Sequence, residues 1–268
     1  MSLSRDSRFK DQVVVITGSA RGIGFSTAEI AAGEGAKVVI CDLDPDNVSA
    51  AVARLKTAGA DVIGVAGDVS DPSQVESNVS EIITRLGRID VLINNAAINS
   101  FFAPEALPIE TWRRELEVCL TGQFLWAQSV AVASMIPARN GSIVNLGSGA
   151  ALAGIPKCAA YVAAKHGVVG LTKALAVDWG QYNIRVNCVC PGLTFTELSK
   201  QTASHDPERA RQRELRIPLG RGAQPEDVAR TILFFASYEA YSISGEIVSV
   251  DGGTLAMSSG FSPPRDGI

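Results

Sequence analysis

The sequence has little of what several functional classes need. Histidine is nearly absent, with His166 and His205 the only two in 268 residues. The five cysteines, Cys41, Cys119, Cys158, Cys188 and Cys190, make an odd count without metal-ligand spacing. Neither a disulfide framework nor a Cys/His metal cluster is expected, and reduced thiols fit a reducing compartment. A basic surplus is missing too: 24 Lys and Arg stand against 28 Asp and Glu, for a net charge of -4. Nucleic-acid binders normally carry the opposite balance. No run of about 18 uncharged apolar residues occurs, so no membrane-spanning helix is expected. The first ten residues are polar and carry no apolar signal core, which makes the cytoplasm the expected location. Linkers, low-complexity tracts and internal repeats are absent.

What is present is alternation. Apolar residues make up 46% and charged residues 19%, which excludes a disordered chain. A chain of this length buries roughly three quarters of its unfolded surface without any staple. Short β-branched runs at 13–17, 37–41, 61–66, 89–93, 142–146, 185–189 and 246–250 are nearly continuously apolar, as in strands buried on both faces of a parallel sheet. Helical patterns fill the gaps at 22–34, 46–58, 72–86, 109–135, 158–180 and 225–236. Asp71-Pro72 reads as an N-cap followed by Pro at the first helical position. This order predicts a single α/β domain over 1–268, a doubly wound Rossmann-type fold with a mainly parallel seven-stranded sheet. Ligands of such sheets sit beyond the carboxyl ends of the strands. The polar segment 193–223, with arginines at 209, 211, 213, 216 and 221, breaks the rhythm and reads as a mobile substrate flap. The tail 257–268 is rich in Ser, Gly and Pro and reads as frayed or docked on a neighbouring subunit.

After the first strand comes Thr17-Gly-Ser-Ala-Arg-Gly-Ile-Gly24. Gly18, Gly22 and Gly24 permit a tight turn, close approach of backbone to a pyrophosphate, and close helix–sheet packing. The following helix offers free N–H groups and a partial positive charge to phosphates. Asp42 ends the second strand, where a carboxylate accepts both ribose hydroxyls of an adenosine and repels a 2′-phosphate. Arg21 is the counter-signal, because a cation in the loop can hold that phosphate. The lesser alternative for Asp42 is a helix cap for the segment after Pro45. Asp68-Val69 closes the third strand, either bracketing an adenine or serving as a turn. Asn94-Asn-Ala-Ala97 closes the fourth, and its paired amides either tie strand ends together or line a cleft.

Tyr161-Val-Ala-Ala-Lys165 falls on a predicted helix, where i,i+4 spacing puts phenol and ammonium on one face. An ammonium beside a phenol favours the phenolate, which suits the pair to acid/base work. Ser148 follows the strand 142–146, and its hydroxyl can donate to a substrate oxygen or cap a loop.

Taken together, these residues resemble the short-chain dehydrogenase/reductase family over residues 12 to 253. The matching motifs are Thr17-Gly-x3-Gly-x-Gly24, Asp42, Asp68, Asn94-Asn95-Ala96, Ser148 with Tyr161-x3-Lys165, Asn187, Pro191-Gly192, Thr196 and Asp251-Gly-Gly253. The resemblance implies that Tyr161 gives or takes the proton of the reacting oxygen, that Ser148 polarises that oxygen, and that Lys165 holds the nicotinamide ribose. It implies NAD contacts from Gly18, Arg21, Gly22, Ile23, Gly24, Asp42, Leu43, Asp68, Val69, Asn95, Ala96, Tyr161, Lys165, Pro191, Gly192, Thr194 and Thr196. The expected function is NAD-dependent hydride transfer to or from a small secondary alcohol or ketone. The alternatives are an NAD(H)-binding regulatory protein with weak or no turnover, and a nucleotide-binding transferase, which has no need of Tyr-x3-Lys. No metal is implied, and no nucleic-acid or membrane partner. A homotetramer is expected, from the family resemblance and from surplus apolar residues at Phe124, Leu125, Val168, Val169, Leu171 and Leu175. Asn99, Ala150, Lys157, Leu193 and Leu198 are candidates for the substrate pocket. Two departures stand out: Ala97 replaces the family's Gly, and Cys119 replaces a helix Asn that anchors a relay water. A thiol is a poor substitute for an amide, and Cys119 reads as a small buried apolar residue.

Overall fold

The computed structural model describes residues 8–196, 199, 207–258 and 261–263, the side chains of 209 and 210 excepted. Seven strands, β1 (Val13–Thr17), β2 (Lys37–Asp42), β3 (Val62–Ala66), β4 (Val91–Asn94), β5 (Gly141–Leu146), β6 (Ile184–Pro191) and β7 (Ile247–Val250), form one sheet. Its order is β3-β2-β1-β4-β5-β6-β7, and every pairing is parallel. Val14 sits between Val38 of β2 and Val91 of β4. The chain therefore winds outward from β1 to β3 and restarts at β4, so the crevice between β1 and β4 is the switch point where such sheets bind ligands.

The apolar runs are continuous because both faces are covered. Along β1, Val14 and Ile16 pack with α1 (Gly22–Gly33), α2 (Pro45–Thr57) and a C-terminal helix, Pro225–Ala236, through Phe25, Leu55, Ile232 and Leu233. Val13 and Val15 point the other way, towards α3 (Pro72–Leu86), α4 (Ile109–Ala138) and α5 (Ala159–Trp179), where Ile82, Trp126, Val130 and Leu175 are buried. The shorter α6 spans Pro207–Leu215, and the C-terminal helix is α7. Asp71 caps α3 as expected, its Oδ1 accepting from the backbone of Ser73 and Gln74. Asp44, not Asp42, caps α2.

Several sequence expectations are corrected. The helix expected at 109–135 runs on to Ala138 and contains two π-helical turns, Glu117–Thr121 and Ala131–Met135. By length and composition α4 could cross a membrane, against the expectation from hydropathy. Half of its most apolar window is nevertheless buried in the fold, and Trp126, Ala127 and Val130 spend that apolar face on the sheet. Val168 and Leu175, counted as surplus, are buried inside this chain. On the same two helices the exposed large apolar side chains are Ile109, Phe124, Val132 and Val177. Within 193–223, Leu193, Thr194 and Phe195 pair with Ala223, so the two ends of that segment are tied at a common neck.

Arg185 locks the C-terminal helix to the sheet. From β6 its guanidinium donates to the carbonyl oxygens of Phe235 (2.6 Å), Ala236 (3.1 Å) and Ser237 (2.9 Å), the orphan acceptors at the end of α7. Arg185→Met keeps the aliphatic stem and strands the Ala236 and Ser237 acceptors, leaving Phe235 only the Ser142 hydroxyl at 3.3 Å. Chemical denaturation should show a loss of about 2–4 kcal/mol, and a loss below about 0.5 kcal/mol would show that water replaces the guanidinium.

Candidate active site

The cleft at the switch point encloses about 470 Å³ beyond the carboxyl ends of the strands. One wall is the loop between β1 and α1. Gly18 has φ +61, and a Cβ there would lie 2.7 Å from the Ala96 Cα, so only glycine fits. Gly22 lies against Thr196, 3.6 Å from where its Cβ would sit. Gly24 does not line the cleft. Its missing Cβ would meet the Gly18 carbonyl oxygen at 2.5 Å and the Asn95 amide at 2.7 Å, so it serves packing. The first turn of α1 has no side-chain cap at Arg21, and Arg21, Gly22 and Ile23 at that helix start line the cleft.

Asp42 borders the same wall. Its carboxylate accepts from the backbone N–H of Ala20 (3.0 Å) and of Leu43 (2.9 Å), which fixes it against the glycine loop. Arg21 also lines the cleft and is exposed. Asp68 lines it as well, but its oxygens are engaged by the Ser70 hydroxyl (2.7 Å) and by Arg114 (2.6 Å). Burial by itself pushes the Asp68 carboxyl up, yet the Ser70 and Arg114 hydrogen bonds hold it below the usual carboxylate range.

The two asparagines that end β4 divide the roles left open by the sequence. Asn94 is buried and donates to Asn145 Oδ1 and to the Gln123 carbonyl, both at 3.0 Å, so it ties strand ends. Asn95 lines the cleft and donates to the carbonyls of Thr17 (2.9 Å) and Gly18 (2.8 Å), bracing the glycine loop. Asn187 is structural, bonded to Ile243 and Glu246 beside β7. Asp251 accepts from Gly253 and Leu255 and leaves no room for a Cβ on Gly192.

Ser148, Tyr161 and Lys165 line one cleft with the glycine loop. Ser148 caps a short turn, its Oγ accepting from Ala150 N at 3.1 Å. Tyr161 is half-buried on α5. Lys165, one turn further along, is 1% exposed; its Nζ donates to the Leu146 carbonyl at 2.6 Å and lies 5.7 Å from the centre of the Tyr161 ring. Pro191, Gly192, Thr194 and Thr196 close the far side, with Ile23, Leu43, Val69 and Ala96 as further lining residues.

A family model described as enoyl-(acyl carrier protein) reductase matches residues 18–254. The chain is 38% identical over 254 residues to 2-(S)-hydroxypropyl-CoM dehydrogenase 3 of Xanthobacter autotrophicus, covering 94% of this chain and 99% of that protein. The chain belongs to the short-chain dehydrogenase/reductase family. It is also 36% identical over 251 residues to a NAD-dependent glycerol dehydrogenase of Listeria innocua, covering 93% of this chain and 96% of that protein. A solved gluconate 5-dehydrogenase from Burkholderia cenocepacia, in complex with NADP and tartrate, matches with a TM-score of 0.90 at 32% identity, covering 94% of this chain and 99% of that one. This short-chain dehydrogenase/reductase is thus an oxidoreductase.

The substrate-pocket candidates fare unevenly. Asn99 and Leu193 line the cleft. Ala150 is fully buried and does not, and Lys157 borders a separate shallow hollow next to Pro104 and Ile155. Leu198 lies outside the described residues. Of the arginines at 209, 211, 213, 216 and 221, Arg213 lines the cleft, while Arg221 pairs with Asp227. Sequence reasoning missed Ile98, Phe101, Val118, Ile155 and Cys158 as lining residues. Apolar residues beside a motif carry no sequence signal that separates wall from core.

Cys119 is fully buried but is not merely apolar filling. In the π-helical turn Glu117–Thr121 its Sγ donates to the Ile98 carbonyl (3.2 Å) and accepts from the Ile98 N–H (3.4 Å). Burial pushes its thiol up, which keeps the S–H that donates. An amide carries the same donor and acceptor. Cys119→Asn should therefore hold neutral-pH turnover within about 3-fold of wild type or raise it, a change of ~0.7 kcal/mol at most. A folded Cys119→Asn variant without activity would show that the sulfur has a role beyond these two bonds.

Proposed function

We propose that this protein is an NAD-preferring dehydrogenase of secondary alcohols and reductase of ketones, with Tyr161 handling the proton. The observation that carries the proposal is the meeting of Ser148, Tyr161 and buried Lys165 in one cleft with the glycine loop and Asp42. The residues present fit a dinucleotide. Gly18, Gly22 and Ile23 line the cleft at the start of α1, and the uncapped first turn of that helix suits a pyrophosphate. Asp42 would accept from the adenosine ribose, with Leu43, Asp68 and Val69 beside the base. Pro191, Gly192, Thr194, Thr196 and Lys165 would hold the nicotinamide end. When bound, the nicotinamide supplies or accepts a hydride at ring carbon C4.

The chain's own residues manage the oxygen of the substrate. In reduction the Tyr161 hydroxyl gives its proton to the carbonyl oxygen, and in oxidation the Tyr161 phenolate takes the alcohol proton. Ser148 Oγ already accepts from Ala150 N, so its hydrogen remains available to the same substrate oxygen. The Lys165 ammonium spends one of three N–H donors on Leu146, and its charge attracts negative charge developing on the phenol oxygen. Of the substrate flap expected over 193–223, residues 197, 198 and 200–206 lie outside the described residues, while Leu193, Thr194, Thr196 and Arg213 line the cleft. Exposed Phe124, Val132 and Val177 support self-association into a homotetramer.

Cofactor preference follows from Asp42, which is anchored by two backbone N–H groups and would have to move to admit a 2′-phosphate. The kcat/KM ratio of NAD to NADP should be at least about tenfold, which needs only ~1.4 kcal/mol; equal efficiency would mean that Arg21 offsets Asp42. Tyr161→Phe should lose turnover by about 10²–10⁴-fold, with NADH affinity by fluorescence titration nearly unchanged. A Phe variant within about threefold of wild type, ~0.7 kcal/mol, would remove Tyr161 from the mechanism.

A further inference from the structure

Glu115 is a buried carboxylate with no part in the chemistry described above. It is 1% exposed on α4, next to Leu116 and one turn before Cys119. A buried charge is a costly way to stabilise a helix contact, and an apolar side chain does that better. What Glu115 does instead is grip a loop. One of its oxygens accepts from Ser100 N (2.6 Å) and from the Ser100 hydroxyl. Cys119, four residues on and on the same helix face, grips Ile98 through both backbone groups. The strip that follows β4 is thus held at Ile98 and at Ser100 from one helix.

Its other end is held from the catalytic side. Phe102 bridges in parallel to Cys158, and its N–H donates to the Lys157 carbonyl at 2.9 Å. Cys158 directly precedes α5, which carries Tyr161. The strip 98–101 is therefore fixed between α4 and the start of the catalytic helix, and Ile98, Asn99 and Phe101 line the cleft. Val118, Ile155 and Leu193 add to the same lining. The strip offers one amide, from Asn99, among apolar side chains.

We propose that Glu115 is a positioning residue for substrate choice: by holding Ser100 it fixes strip 98–101 as an apolar wall that selects alcohols and ketones with apolar bodies against polyols. This rests on the dehydrogenase reading above. A polyol entering the cleft must strip water from several hydroxyls against Ile98, Phe101 and Ile155, which offer no side-chain partner. A ring or alkyl body loses nothing there and gains contact.

The test compares cyclohexanol with D-threitol as substrates of the full chain, with NAD and with NADP. Wild type should favour cyclohexanol in kcat/KM by about 100-fold. Glu115→Ala should cut that ratio at least about tenfold by raising KM for cyclohexanol, with kcat and the NAD dissociation constant within about twofold. Glu115→Gln should restore the ratio, because its amide oxygen accepts the same two bonds, and Ser100→Ala should give a smaller shift in the same direction. A wild-type preference for threitol overturns the proposal, as does a Glu115→Ala variant that leaves the ratio unchanged or weakens NAD binding equally. If neither alcohol is oxidised with either cofactor, the dehydrogenase reading fails. The wall is then scored by fluorescence of the enzyme–NADH complex: cyclohexanone binding tighter than threitol supports it, and absent or weaker cyclohexanone binding overturns it.

Discussion

Two backbones approach more closely at the carboxyl edge of the sheet than any Cβ allows, and the cleft depends on that approach. The loop after β1 runs against the loop after β4, so that Gly18 lies on Ala96 and Gly24 lies on both Gly18 and the Asn95 amide. Asn95 secures the contact by donating to Thr17 and Gly18, while Thr17 Oγ1 accepts from the N–H groups of Asn95 and Ala96. Strand order makes this the switch point of the sheet. A side chain at position 18 would push the loops apart and carry Asp42 with them, since Asp42 is anchored on Ala20.

The chemistry is built on a neighbouring edge by similar means. The ends of β4 and β5 are joined by Asn94 to Asn145 and by Asn145 to Thr172 of α5. That network seats α5 against the sheet about two turns from Lys165, whose Nζ reaches the Leu146 carbonyl next to Asn145. Tyr161 and Lys165 are thus placed by a buried polar network at the ends of β4 and β5. Helix α4 reaches both walls at once, with Arg114 on Asp68 and Ser70 and with Glu115 and Cys119 on the strip after β4.

Much of this was legible in the sequence because the strands bury both faces. Continuous runs such as Val13–Thr17 mark parallel strands, and the glycine spacing marks the turn that follows. Helical spacing put Tyr161 and Lys165 on one face, and the family resemblance supplied the roles expected of them. The division of labour between Asn94 and Asn95 was not, because successive strand residues face opposite sides and the sequence does not say which side is the cleft. The packing role of Gly24 was not legible either, because close packing and close ligand approach demand the same missing Cβ. Glu115 was invisible: on α4 it lies among the charged residues Glu110, Arg113, Arg114 and Glu117, and only burial separates a gripping carboxylate from a solvated one.

The account holds that one cleft passes a hydride between a substrate carbon and a nicotinamide while Tyr161 moves the proton. Deuterium placed on the carbinol carbon of cyclohexanol tests this most directly. With NAD and catalytic protein, NMR should find that deuterium at nicotinamide C4 and none of it released to water. Deuterium appearing in solvent, or reduced cofactor without deuterium at C4, would contradict direct transfer in this cleft.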